Sequence, residues 1–280
     1  MDKEEIIVFI RHNISVPKDL LEKLWDEKKI AIHYENICST NPNKYKKNFR
    51  EVKFAFDLMH KMSKEGAIVA ADFRRIRKDA ILVGKITKGT KIGCLKKNEY
   101  KLKTMQLSSF REVSFMDYPI FQSSQPRGTI KEWSKVSKVL RYFYYEKELP
   151  LEVKSLSPEQ LEIICYEFLK SKEEIEFLLQ PIGRRQKDFD IYGLNKENIR
   201  ICAQVTFAEN KKTIINKLQS LQDSISNNDT ILFFFAPKET EKFKKNDFPQ
   251  IRFISIEKVF DYFIKDKSRL EKIKIMLNIS

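Results

Sequence analysis

Glycine is scarce: this chain has 7 in 280 residues. No Walker-type phosphate loop occurs among them, which argues against nucleotide hydrolysis of that kind. Histidine is scarcer still. His12, His33 and His60 all lie in the first part of the chain, so no Ser-His-Asp or Cys-His arrangement can be argued. The four cysteines, Cys38, Cys94, Cys165 and Cys202, form no C-x-x-C pair. Zinc ligation and a disulfide framework are therefore not indicated, and reduced, mostly buried thiols in a cytoplasmic protein are expected. With only 9 prolines and a hydrophobic content of 42%, the composition is not that of a disordered chain. No apolar run reaches the length of a membrane span. The longest, "ILFFFA" at 231–236, reads as a buried strand. The opening "MDKEEIIVFIRHN" begins with acidic residues and does not read as a secretory signal.

What is present in excess is positive charge. The formal net charge is +14, and residues 1–115 carry +10 of it. A basic excess favours a polyanionic partner through phosphate contacts and counterion release, or it reflects scattered surface lysines with no site.

Periodicity divides the chain in two. "EIIVFIR" reads as a strand. "PKDLLEKLWDEK" reads as a helix with Pro17 in its first turn, "KIAIHYENI" as a strand, and "NFREVKFAFDLMHKMSKEG" as a helix stopping at Gly66. "AIVAADFRR" and "AILVGKITKGT" form a hairpin across "RIRKD", and shorter strands follow up to residue 117. Short strands with charged turns suggest a small curved β-barrel. Residues 118–154, rich in Pro, Ser and Gln and then helical, read as a linker and bridging helix. Residues 155–280 begin with a helix whose N-cap is Ser157 and whose first residue is Pro158, with an apolar face of Leu161, Ile164, Cys165 and Phe168. Strands and helices then follow in an order that gives a mixed sheet flanked by helices. The fold class is α/β, or α+β overall: a small barrel-like unit with helices, then a mixed-sheet unit.

The second part carries a constellation of hard oxygen donors, which metal-assisted phosphodiester cleavage needs on rigid elements. Asp190 sits at the strand "FDIYG" and Gln204 in the middle of "ICAQVTF". Alternation puts Cys202, Gln204 and Thr206 on one face, so Gln204 and Thr206 can share a cleft with Asp190. Glu162 lies on the preceding helix. Singly, each has a plain structural reading: a turn cap, an exposed helix charge and a buried strand amide. The ordered pattern "LSPEQLEIICYEFL … DFDIYG … RICAQVTF" resembles the PD-(D/E)xK nuclease superfamily, above all its Mrr-like branch. The resemblance covers roughly residues 155–266. It implies a restriction-endonuclease-like fold, with Glu162 and Asp190 holding Mg²⁺ (or Mn²⁺) and Gln204 orienting water or phosphate. Where that branch has a lysine, this chain has Thr206. Three accounts stay open: Lys211 or Lys212, ahead of Lys217, reaches back from the next helix; the metal alone activates water; or catalysis is lost. Arg184, Arg185 and Lys187, just before Asp190, are candidate phosphate contacts or solvated turn charges.

In the first part, "EGAIVAADFRRIRKDAILVGKITKG" looks like the small barrels of the PUA-like group, which includes EVE and YTH modules. That resemblance implies recognition of a modified base. Trp25, Tyr34 and Phe73 are then candidate stacking faces, His33, Asn36 and Asp72 candidate polar readers, and Arg74, Arg75 and Arg77 candidate DNA contacts. For each aromatic the competing reading is simply core. The expectation that follows is a modification-dependent, type IV-like restriction endonuclease acting in anti-phage defence, with double-stranded DNA as partner, a possible homodimer, no membrane and a cytoplasmic location. The alternatives are a catalytically inactive nuclease-fold DNA-binding or regulatory subunit, or an RNA-binding module.

Overall fold

The structure is a computed structural model describing residues 5–12, 15–47, 49–183, 189–224, 230–244 and 247–279. The chain divides into two compact units, Met1–Glu148 and Leu149–Ser280.

The first unit opens with β1 (Ile6–Arg11), α1 (Lys18–Asp26), β2 (Lys29–Ile32) and α2 (Phe49–Glu65). α2 buries Val52, Ala55, Phe56, Met59 and Met62, the stripe its sequence spacing predicts. Gly66 ends it at φ +84, a conformation that side chains resist. Then come β3 (Ala67–Asp72), β4 (Ala80–Ile86), β5 (Gly93–Lys97), β6 (Tyr100–Gln106), β7 (Ser109–Ser114), α3 (Ile120–Ser123), β8 (Ile130–Glu132) and α4 (Ser137–Tyr144). The strands form a five-stranded sheet, β7-β4-β3-β1-β8, and a three-stranded sheet, β2-β6-β5. β1 and β3 run parallel, which requires a long crossover, here through α1, β2 and α2.

This corrects the barrel expectation: no barrel closes. Among the described residues, β7 and β8 are the edges of the larger sheet, and β5 and β6 leave it to pair with β2. Closure needs the two edge strands to meet. The segment 118–154, read as linker, instead contributes β8 to the sheet. Its Trp133 is buried edge-on against Phe9 and donates its indole N–H to the Ser124 carbonyl at 2.9 Å.

A second correction concerns cysteine. Cys38 and Cys94 are joined in a disulfide, while Cys165 and Cys202 are buried free thiols. The spacing of 56 residues hides such a pair from motif reading. Disulfides persist in oxidising surroundings, so the cysteines no longer argue for a reducing compartment. No helix among the described residues is long and apolar enough to cross a membrane.

The second unit comprises α5 (Pro158–Ser171), β9 (Phe177–Leu178), β10 (Ile191–Leu194), β11 (Arg200–Val205), α6 (Lys211–Asp223), β12 (Thr230–Ala236), β13 (Ile251–Ser255), α7 (Ile256–Ile264) and α8 (Lys267–Leu277). α5 starts on a full capping box: Ser157 accepts from the Gln160 N–H, and the Gln160 side chain accepts from the Ser157 N–H. The sheet order is β13-β12-β11-β10-β9, parallel across β11, β12 and β13 and antiparallel at β10. Helices α5, α7 and α8 share one core with Ile191, Ile201, Ala203, Val205, Phe233 and Phe235. The opposite face, Cys202, Leu232 and Phe234, packs under Ile214, Leu218 and Leu221 of α6. β12 is buried on both faces, hence its unbroken apolar run. The mixed α+β architecture with flanked sheets is the one read from the sequence.

Candidate active site

β10 and β11 pair antiparallel with Ile191 opposite Ala203, which places Asp190 opposite Gln204. The Asp190 N–H donates to the Ala203 carbonyl at 2.8 Å, so the ladder's hydrogen bonding extends to Asp190. Its carboxylate Oδ2 accepts from the Gln204 side-chain amide and, at 2.8 Å, from the Val205 N–H. Gln204 is itself only 5% exposed. Burial pushes the Asp190 pKa up; the Val205 N–H, the charge of Lys217 and the Gln204 amide oppose the rise. Oδ1 takes none of the described hydrogen bonds.

Glu162 arrives from α5. Gly183 adopts φ +71, and a Cβ on it would stand 2.2 Å from Glu162 Oε2, so the carboxylate lies against the glycine's backbone. The Gly183 N–H donates to the Asp190 carbonyl at 3.0 Å. Gly183 thus links the two acidic residues. Cys165 lies one turn on from Glu162 on α5. Its thiol pKa is pushed well up by burial, and the charges of Glu162 and Asp190 add to the rise. Sequence reading did not pick out Gly183. Its signal was a lone glycine just before the basic loop.

Thr206 cannot stand in for a lysine. Its N–H donates to the Phe235 carbonyl and its hydroxyl accepts from the Ala208 N–H at 3.1 Å, so it shapes the turn leaving β11. Lys211 and Lys212 are exposed at the start of α6. Lys217, half-buried further along that helix, is the lysine whose charge bears on Asp190.

Among the described residues, no group of three or more His, Cys, Asp or Glu is placed to hold a metal. Mg²⁺ is commonly bound by one or two carboxylates, with waters and substrate phosphates completing the shell. Asp190 and Glu162 offer two carboxylates of the kind such a shell uses, and Asp190 Oδ1 accepts none of the described hydrogen bonds.

The remaining candidates separate. Arg184, Arg185 and Lys187 lie outside the described residues. Arg74 binds Asp72 at 3.2 Å and the Gln125 side-chain oxygen at 2.7 Å; Arg75 donates to the Val16 carbonyl; Arg77 lies over the Trp25 ring. All three guanidiniums are thus engaged within the first unit. The six proposed base-pocket residues do not converge either. Phe73 is fully buried, stacked on His12 at 3.8 Å, with Trp25 edge-on to it, and Asp72 is buried between Arg11 and Arg74. His33 pairs with Asn36 at 2.9 Å. Of the six, Tyr34 lines a described cleft.

Two solved structures are similar to this chain. One is the crystal structure of a repair endonuclease from Pyrococcus abyssi, at 10% identity and TM-score 0.28, covering 82% of this chain and 99% of that one. The other is the structure of an EndoMS–dsDNA complex, at 7% identity and TM-score 0.26, covering 63% of this chain and 73% of that one. Superposition at this level transfers no residue role. No family model matches the chain, and no curated protein matches it.

Proposed function

We propose that the second unit is a metal-dependent endodeoxyribonuclease of the PD-(D/E)xK kind and that the chain acts as a modification-dependent restriction enzyme on double-stranded DNA. The observation that carries this reading is the pairing of Asp190 with Gln204 on adjacent strands, with the Glu162 carboxylate against Gly183, whose N–H donates to the Asp190 backbone carbonyl. Asp190 and Glu162 would hold Mg²⁺ or Mn²⁺. Such a metal supplies Lewis-acid charge for a phosphate oxygen and lowers the pKa of water. The chain's own residues do the rest. Gln204 and the Val205 N–H fix the Asp190 carboxylate, which sets where a phosphate can dock. Lys217 brings the positive charge that Thr206 lacks. The basic first unit would hold DNA and read a modified base, and a homodimer would cut both strands.

One observation favours a second reading. With its hydroxyl committed to the turn leaving β11 and its N–H to the Phe235 carbonyl of β12, Thr206 supplies no cation at this strand end, as in a nuclease fold that binds DNA and does not cut it. Incubating the full chain with plain and base-modified duplexes, with and without Mg²⁺, separates the two. The enzyme reading expects metal-dependent strand cleavage, and binding without cleavage under every divalent metal removes it.

A further inference from the structure

A cleft in the first unit, away from the buried aromatic cluster around Phe73, has a cavity volume of about 310 Å³. It runs between the N-terminal half of α2 and the chain entering β8. Its walls include Tyr34, Arg50, Glu51, Phe54, Thr129 and Lys131. Tyr34 is fixed from three sides: its ring meets Phe56 edge-on, its hydroxyl hydrogen-bonds with the Thr129 side chain, and its carbonyl accepts from the buried Lys103 ammonium at 3.0 Å. Phe54 is a large apolar ring left 43% exposed, and the Lys131 ammonium lies 4.3 Å from its centroid. Neither Arg50 nor Lys131 has a described ion-pair partner, and Glu51 is exposed beside them.

We infer that this cleft binds one nucleotide unit, a flat base carrying a phosphate. Aromatic rings offer stacking faces to a base. Arg50 and Lys131 supply the positive charge that a phosphate needs, and Glu51 can accept from base N–H groups. The volume is at the lower end for small-molecule sites, enough for a nucleotide and too small for a base pair held in a duplex. The ligand is thus either a free nucleotide or an unpaired nucleotide of a strand. The inference does not depend on the nuclease reading, because no residue of the second unit takes part.

The test is calorimetric titration of the full chain in EDTA, so that no cleavage intervenes. The probes are deoxyadenosine 5′-monophosphate, deoxyadenosine, and a short single-stranded oligodeoxyadenylate. Binding of the monophosphate is expected if free nucleotide is the ligand; binding of the oligonucleotide alone assigns the site to an unpaired nucleotide in a strand. In either case Phe54→Ala should weaken binding roughly tenfold or more. The double variant Arg50→Ala/Lys131→Ala should abolish the advantage of phosphate-bearing probes over the nucleoside. These side chains are exposed, so the variants keep the fold, which circular dichroism checks. No binding by either phosphate-bearing probe, or binding indifferent to Phe54→Ala, overturns the inference.

Discussion

Gln204 donates its side-chain amide to the carboxylate of Asp190 across the β10–β11 pair. On the proposed reading, Gln204 positions the carboxylate that would hold the metal. Gln204→Leu removes the amide and keeps an apolar side chain on the strand. The expected result is a fall of roughly 10–100-fold in apparent Mg²⁺ affinity, the usual cost of losing such an orienting partner. A Mg²⁺ titration of cleavage rate reads it, and an unchanged titration curve contradicts the role.

Gly183 is the contact between the two acids. An alanine there needs φ +71, which costs a side-chain residue roughly 1–2 kcal/mol, and its Cβ would collide with the Glu162 carboxylate. The far end of a glutamate is mobile, so Glu162 should move and the fold should survive. Gly183→Ala is expected to lose most Mg²⁺-dependent cleavage while its melting temperature drops by only a few degrees. Full activity in that variant would show that the Glu162 position is not needed.

The second unit was legible in the sequence because its signals are local. The N-cap at Ser157, the alternating "ICAQVTF" and the apolar "ILFFFA" each specify their own element. The strand alternation puts Gln204 and Thr206 on one face with Asp190, and the Gln204 amide bonds the Asp190 carboxylate. What was not legible depends on contacts distant in sequence. Three-dimensional register decides that the five-stranded sheet stays open, and a separation of 56 residues hides the Cys38–Cys94 bond. Aromatic identity could not tell the buried Phe73 from the exposed Phe54, since that depends on which faces are covered. Sequence proximity to Thr206 favours Lys211 and Lys212, whereas the charge felt by Asp190 is that of Lys217, further along α6.

Lys217→Ala should therefore lower the cleavage rate by roughly 10²-fold, the scale of losing one stabilising donor. Lys211→Ala and Lys212→Ala, both exposed at the start of α6, should stay within about twofold. Single-turnover rates at saturating Mg²⁺ make the comparison. The opposite ranking would return the role to the helix start.

His12 gives the first unit a pH dependence. Its Nε2 accepts from the Ala31 N–H at 2.9 Å, its ring stacks on Phe73, and burial lowers its pKa to about 3. The unfolded chain, with a histidine pKa near 6.5, binds the proton more readily than the folded one. The associated stability is complete above roughly pH 6.5 and is lost as pH falls towards 3, about 2 kcal/mol of it by pH 5. His12→Gln should flatten this part of the curve in urea unfolding followed by Trp fluorescence. An unaltered slope would mean that His12 titrates normally.

The Cys38–Cys94 bond should also contribute to the first unit. Closing a loop of this length commonly adds about 2–4 kcal/mol. Reductant, or Cys94→Ser, should lower the urea midpoint of the first unit and leave Asp190-dependent cleavage intact. A midpoint insensitive to reductant would contradict a closed disulfide.

The claim tested most directly is that Asp190 holds a catalytic metal for cutting DNA. Wild-type protein and Asp190→Asn should be compared on one base-modified duplex, measuring binding without metal and cleavage with Mg²⁺. The account predicts equal binding, with metal-dependent cleavage by the wild type alone. Equal cleavage by both proteins, or none by the wild type on any duplex with any divalent metal, would contradict it.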